Sequence, residues 1–406
     1  MLKRTFNHRT TSILQAAVGL FILQFSLTGC GSNPTADAPQ QSHPTISLQD
    51  QSSPDTSQWP VFRENAQATG VAAGGLTERP ELQWKYEVAK GSFDATPVIV
   101  DGTVYIGDMD GTFYALDLAT GAKRWTFDKG KEKAGFATAA AVRDGLVYIG
   151  DMDGIFFCLD AKTGEKKWEA TTDGEIDSAA NFYGDAVLVG SQDTKLYCFD
   201  AKTGQQRWTH QIADQVRCSP TVIEDRCFLA GCDGKLHVID LNTGEESGSV
   251  DINSPTGCTP AAASQLIYFG TEGGTFLCVD WKELKQVWQW QDKVKGLSVR
   301  SSAALTPAAV VFGGRDKIVH ARDPKTGEKL WDFSTKGRVD SSPVVVGNRL
   351  FVGSADGRIY GLDLATGNQV WQYEAGGAIV SSPAVAQGYL VIASQAGVVY
   401  CFGEKK

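Results

Sequence analysis

The sequence predicts an all-β chain folded as one eight-bladed propeller of four-stranded blades. Three observations carry this expectation. Tryptophans recur roughly every 40 residues. An Asp-x-x-Thr-Gly segment stands four residues ahead of most of them. Between them, short β-branched or aromatic runs alternate with Gly, Asn and Asp turns, the pattern of strands and tight hairpins.

The tryptophans are Trp84, Trp125, Trp168, Trp208, Trp288, Trp331 and Trp371, with a double interval between Trp208 and Trp288. Gly248 occupies the vacant position. Asp117, Asp160, Asp200, Asp323 and Asp363 each open a complete Asp-x-x-Thr-Gly-x-x-x-Trp run. The fourth unit keeps Asp240, Thr243 and Gly244 but lacks the ring. The fifth keeps Asp280 and Trp288 but has Glu283-Leu284 in place of Thr-Gly.

Counting the third strand of each unit gives eight: 113–117, 156–160, 196–200, 236–240, 276–280, 318–323, 359–363 and 398–402. No helical period intrudes. The chain stops after the third strand of the eighth unit, so Leu82 to Tyr86, in register with Arg124 to Phe127, is expected to supply its fourth. Pairing the first strand with the last removes an exposed edge. The propeller should span residues 59–403 and leaves no room for a second domain.

The first 58 residues read differently. Lys3, Arg4 and Arg9 precede an apolar stretch from Ile13 to Phe25, too short for a comfortable span, and Leu27-Thr28-Gly29-Cys30 closes it. Residues 1–29 are therefore expected to be a signal peptide. Residues 30–58, rich in Pro, Ser, Gln, Thr and Asp, form an expected disordered tether. Leu27 to Cys30 resembles the lipobox of bacterial lipoproteins, which implies lipidation of Cys30. Gly31 in place of Asp implies sorting to the periplasmic face of the outer membrane.

The Ala115-x-Asp117-x-x-Thr120-Gly121-x-x-x-Trp125 pattern resembles the tryptophan-docking motif of quinoprotein, PQQ-type repeats. The resemblance covers roughly residues 59–403 and implies that each tryptophan packs between neighbouring blades. Trp59-Pro60-Val61-Phe62-Arg63 is similar to the lead-in of many bacterial proteins with such repeats. Longer, PQQ-dependent dehydrogenases of this class carry adjacent cysteines beside the quinone and oxygen ligands around calcium. This chain has no Cys-Cys pair, so no cofactor is expected, with PQQ-dependent oxidation or a ligand sensor as the alternative. A shared fold does not transfer activity.

A net charge of −9, without a long basic run, excludes a general nucleic-acid binder. Asp108-Met109-Asp110-Gly111 and Asp151-Met152-Asp153-Gly154 read as hairpin turns rather than calcium loops, because position twelve from Asp108 is Ala119. Cys158, Cys198, Cys278 and Cys401 read as small packing residues. Cys218 and Cys258 share one slot on adjacent blades, where a disulfide stays open. His210, His237 and His320 are read as lying at different positions of their blades, so no metal and no catalytic set is expected.

One slot breaks the repeat. Three residues before the proline position of each innermost strand stand Asp94, Ala137, Asp177, Arg217, Gly257, Arg300, Asp340 and Val380. Its charges should ring one mouth of the channel, either pairing with one another or binding a partner. Leu297 to Ala303 and Val339 to Pro343 resemble the partner-binding segments of the BamB-type outer-membrane assembly lipoproteins. That resemblance implies that Leu297, Val299, Arg300 and Asp340 contact the periplasmic domain of a protein partner, such as a β-barrel assembly protein. The propeller itself is expected to be a monomer.

Overall fold

The computed structural model describes residues 57–129, 134–291 and 296–405. Cys30, the expected signal peptide before it and the expected tether up to residue 56 lie outside them. The described residues form eight four-stranded antiparallel sheets, the blades of one propeller, and no α-helix. Blade 1 runs through Val98–Val100, Thr103–Gly107, Thr112–Asp117 and Lys123–Asp128. Blades 2 to 7 repeat it over 141–171, 181–211, 221–251, 261–291, 304–334 and 344–374.

Blade 8 closes the ring as expected. Ala384–Ala386, Tyr389–Ser394 and Val398–Gly403 are completed by Glu81–Glu87, which pairs Leu82 with Phe402 and Trp84 with Cys401. The second and third strands of each blade are packed on both faces and read as nearly unbroken apolar runs. The fourth strands, at the periphery, alternate: Lys123–Asp128 buries Trp125 and exposes its neighbours.

The docking motif explains how blades adhere. Asp117 Oδ1 accepts the backbone N–H groups of Ala119 at 3.1 Å and Thr120 at 2.9 Å, an Asx turn that positions Gly121 at φ +74°. The indole of Trp84 lies on that glycine, where a Cβ would come within 2.6 Å of the ring. Its Nε1 donates to Leu118 O at 2.8 Å. The same reach into the next blade joins Trp125 to Ala161, Trp168 to Ala201, Trp288 to Pro324 and Trp331 to Leu364. Trp371 donates to Pro80 O, so the entering N-terminal chain stands in for the eighth turn.

The two irregular units turn out to complement each other. A Cβ on Gly248 would fall 2.6 Å from Leu284 Cδ1. The side chain standing at the glycine position of blade 5 thus lies where blade 4 lacks its ring. Leu284 keeps the turn's left-handed backbone, at φ +49°.

A second set of links runs around the axis. The backbone N–H of Ala179 donates to Ser219 Oγ, Ser219 to Thr259 Oγ1, Thr259 to Ser302 Oγ, Ser302 to Ser342 Oγ, Ser342 to Ser382 Oγ and Ser382 to Thr96 Oγ1, each at 2.9–3.1 Å. Ala139 and Ala179 carry no hydroxyl to extend the series. One position earlier, Ser301 and Ser341 accept the N–H of Gly313 and Gly353 inside their own blades. Cys218 and Cys258 occupy that inward-facing slot. Both are free, and Cys258 Sγ donates to Val299 O at 2.8 Å. Cys158, Cys198 and Cys278 are likewise free and buried, and Cys401 is buried with its Sγ 3.8 Å from Leu118 O.

Candidate partner-binding site

The entry segment, residues 59–72, winds along the innermost strands. Backbone N–H groups of Ile99, Val142, Val222, Ala262, Leu305 and Val345 donate in turn to the carbonyls of Trp59, Pro60, Ala66, Gln67, Thr69 and Gly70 at 2.8–2.9 Å. Six blades therefore find a cover for the free edge of their first strand. Blade 3 joins through Asn181 Nδ2, which donates to Ala66 O at 3.0 Å. Trp59 and Arg63 are buried. Arg63 Nη2 donates to Ala303 O at 2.9 Å and Pro343 O at 2.5 Å, and burial lowers its pKa to about 9. Left-handed residues at Arg63, Glu64, Ala68 and Gly70 make the bends.

The charged slot lies a few residues earlier along the same inner segments, ahead of each innermost strand. Its side chains do not form one closed ring. Arg217 Nε stands 3.7 Å from Asp177 Oδ2, a pair within the slot. The others reach hairpins of the preceding blade. Arg300 Nε pairs with Glu272 at 2.8 Å. Arg315 binds Asp340 through two hydrogen bonds, at 2.9 and 3.1 Å, and Arg338 adds a third at 2.7 Å. Hydrogen bonding to Asp340 raises the pKa of the Arg315 guanidinium. Asp94 accepts Gln395 Nε2 at 3.0 Å. These residues tie blade to blade while Arg217 and Arg300 stay about two-fifths exposed.

The four residues expected to bind a partner divide. Leu297 is 40% exposed, in the connection between Gln291 and Ala304, which is longer than its counterpart between Ser334 and Val344. Arg300 and Asp340 are held in the pairs just described. Val299 does not belong with them. It is 2% exposed, and its Cγ1 lies 2.3 Å from where a Cβ on Gly270 would stand. Val339 and Ile379 fill the same notch against Gly313 and Gly353. The repeat alternates faces, so a residue beside the exposed arginine points into the core.

The histidines also require correction. His237 and His320 occupy one equivalent position, each donating from Nε2 to the carboxylate of an aspartate four residues earlier, Asp233 and Asp316, at 3.0 Å. Tyr114, Tyr197 and Tyr360 make the corresponding hydroxyl contact to Asp108, Asp193 and Asp356. His210 lies on the fourth strand of blade 3, facing His237 across the blade junction at 6.3 Å between ring centres. The Asp108 and Asp151 segments are hairpin turns, their Oδ1 atoms accepting backbone N–H groups two and four residues on.

Among solved structures the likeness is one of fold. BamB from Moraxella catarrhalis gives a TM-score of 0.69 at 20% identity, covering 80% of this chain and 100% of that one. The computationally designed Ika8 protein gives 0.70 at 20% identity, with the same coverage of 80% and 100%. A quinohemoprotein alcohol dehydrogenase from Comamonas testosteroni gives 0.73 at 16% identity, covering 87% and 82%. No curated protein matches the chain. A family model described as outer membrane protein assembly factor BamB matches residues 75–181, 159–247 and 216–405, nearly the whole ring. The chain therefore belongs to this family of PQQ-type repeat propellers.

Proposed function

We propose that the chain is a non-catalytic scaffold of the cell envelope that docks a protein partner at the charged mouth. The observation that carries this reading is the rim of blades 6 and 7. Exposed Leu297 stands three residues before Arg300, and the Arg315–Asp340–Arg338 cluster lies on the next junction. An apolar anchor flanked by oriented, partly exposed charges is the composition of a docking patch. Family membership supports a role in outer-membrane protein assembly, with the partner a periplasmic domain of a β-barrel assembly protein. Lipidation at Cys30 would hold the propeller at the membrane.

Two features weigh against a quinone in the channel. Segment 59–72, with Trp59 and Arg63 buried, is bonded along the inner strands and narrows the space there, and the chain has no adjacent cysteines. Both support the reading of a propeller that works without that cofactor.

Arg300→Glu tests the proposal. The Arg300–Glu272 pair is partly exposed and worth about 0–1 kcal/mol, so the variant should fold as the parent does. Crosslinking pull-down of the partner from membranes should fall at least tenfold. Unchanged capture would refute docking at this rim.

A further inference from the structure

At most blade junctions, one position on the fourth strand meets a ring on the third strand of the next blade. Tyr86 meets Tyr114 at 5.6 Å, Phe127 meets Phe157 at 5.2 Å, Phe333 meets Tyr360 at 5.4 Å and Tyr373 meets Tyr400 at 5.7 Å. At the junction of blades 5 and 6 the pair is Trp290 and His320, at 4.5 Å. At the junction of blades 3 and 4 both partners are imidazoles, His210 and His237.

The hydrogen bonds around these two rings leave one nitrogen of each turned toward Glu246. His210 Nδ1 lies 3.0 Å from Gly244 O, a carbonyl that can only accept, so Nδ1 carries the hydrogen. Nε2 is then a bare lone pair. It is buried and has no hydrogen-bond partner among the described residues. His237 Nε2 lies 3.0 Å from Asp233 Oδ2, which places its hydrogen there and leaves Nδ1 to face Glu246 Oε2 at 2.6 Å. Two acceptors at that distance need a proton or a cation between them. Glu246 Oε2 is also 4.0 Å from His210 Nε2.

We infer that His210, His237 and Glu246 form a binding site for a divalent transition metal of the zinc class. Their ligand atoms lie within 4.8 Å of one another. Around a tetrahedral ion with bonds of about 2.0–2.1 Å, ligand atoms sit about 3.4 Å apart. The 2.6 and 4.0 Å spacings straddle that value, and the Glu246 side chain is 36% exposed and free to adjust. Two nitrogens and one carboxylate oxygen suit zinc and leave a fourth position for water or an exogenous ligand. Asp233 and the Gly244 carbonyl supply the outer hydrogen bonds that fix the two rings. Metal there would staple blade 3 to blade 4.

The test uses untagged full-length protein, stripped with EDTA and dialysed against micromolar zinc chloride. One zinc per chain should be retained, and cobalt(II) should give the visible bands of tetrahedral coordination. His210→Trp, which copies the residue at the equivalent position of blade 5, should fold and lose the zinc. Glu246→Gln should lose it too, and Asp233→Asn should weaken binding about 10–100-fold. Failure of the parent to retain zinc would overturn the inference, as would equal retention by folded His210→Trp protein.

Discussion

The complementarity of Gly248 and Leu284 leads to a double-mutant cycle. Leu284 is 41% exposed, so its burial is worth about 1–2 kcal/mol out of the ~1.5–3 kcal/mol of a fully buried leucine. Its left-handed backbone costs about 1–2 kcal/mol, and Leu284→Gly relieves that. The two effects nearly cancel, and this variant should lie within about 1 kcal/mol of the parent. Gly248→Trp alone must force an indole into space that Leu284 already takes, with the new Cβ itself only 2.6 Å from Cδ1. Overpacking of this kind costs about 1–3 kcal/mol. The double substitution rebuilds the pair found at Trp288 and Gly327 and should be at least as stable as the parent. Its coupling energy should be about 1–3 kcal/mol, the range for residues in contact. Urea titration of the four proteins, followed by tryptophan fluorescence, measures it. Additive effects would show that the two irregular units are independent losses.

Three further outcomes follow from the inner strands and the entry segment. Ser302→Ala strips the acceptor from the Thr259 N–H and should cost about 1–3 kcal/mol, while Ala139→Ser offers a new hydroxyl and should gain about 0.5–1.5 kcal/mol; amide exchange at Thr259 that stays as slow in Ser302→Ala would contradict the link. Burial raises the Glu64 carboxyl to about 7, from an ordinary value of 4.5, against the lowering effect of the Asn65 hydrogen bond. Between those values the folded chain holds the extra proton, so stability is greatest below 4.5 and falls as pH rises through 7. Thermal melts from pH 5 to 8 should show that decline, and Glu64→Gln should flatten it.

The repeat was legible because its determinants are local. Strand period, Asx turns and left-handed glycines act within a few residues, so the eight units and the closure by Leu82 to Tyr86 could be counted directly. The docking tryptophans were legible for the same reason. Other contacts that cross a blade junction, made by side chains outside the recurring motif, were not. Val299 reads like its exposed neighbour Arg300 until the alternation of the inner segment is placed against Gly270. Aligning each third strand on its closing aspartate would have revealed that His237 and His320 are equivalent. Nothing in the spacing of His210, His237 and Glu246 resembles a metal motif, because the three come from different strands of two blades.

The sequence by itself therefore determined an eight-fold all-β repeat, its closing strand and its irregular units, since these depend on contacts between near neighbours in the chain. Only the tertiary structure decided how the irregularities combine. Leu284 enters the space of the missing ring, and residues 59–72 cover the inner strands. Each mouth charge takes its partner from another strand or hairpin, and two histidines and a glutamate turn their lone pairs toward one point. All of these depend on how rigid blades are set side by side, a relation between surfaces that no stretch of the chain contains on its own.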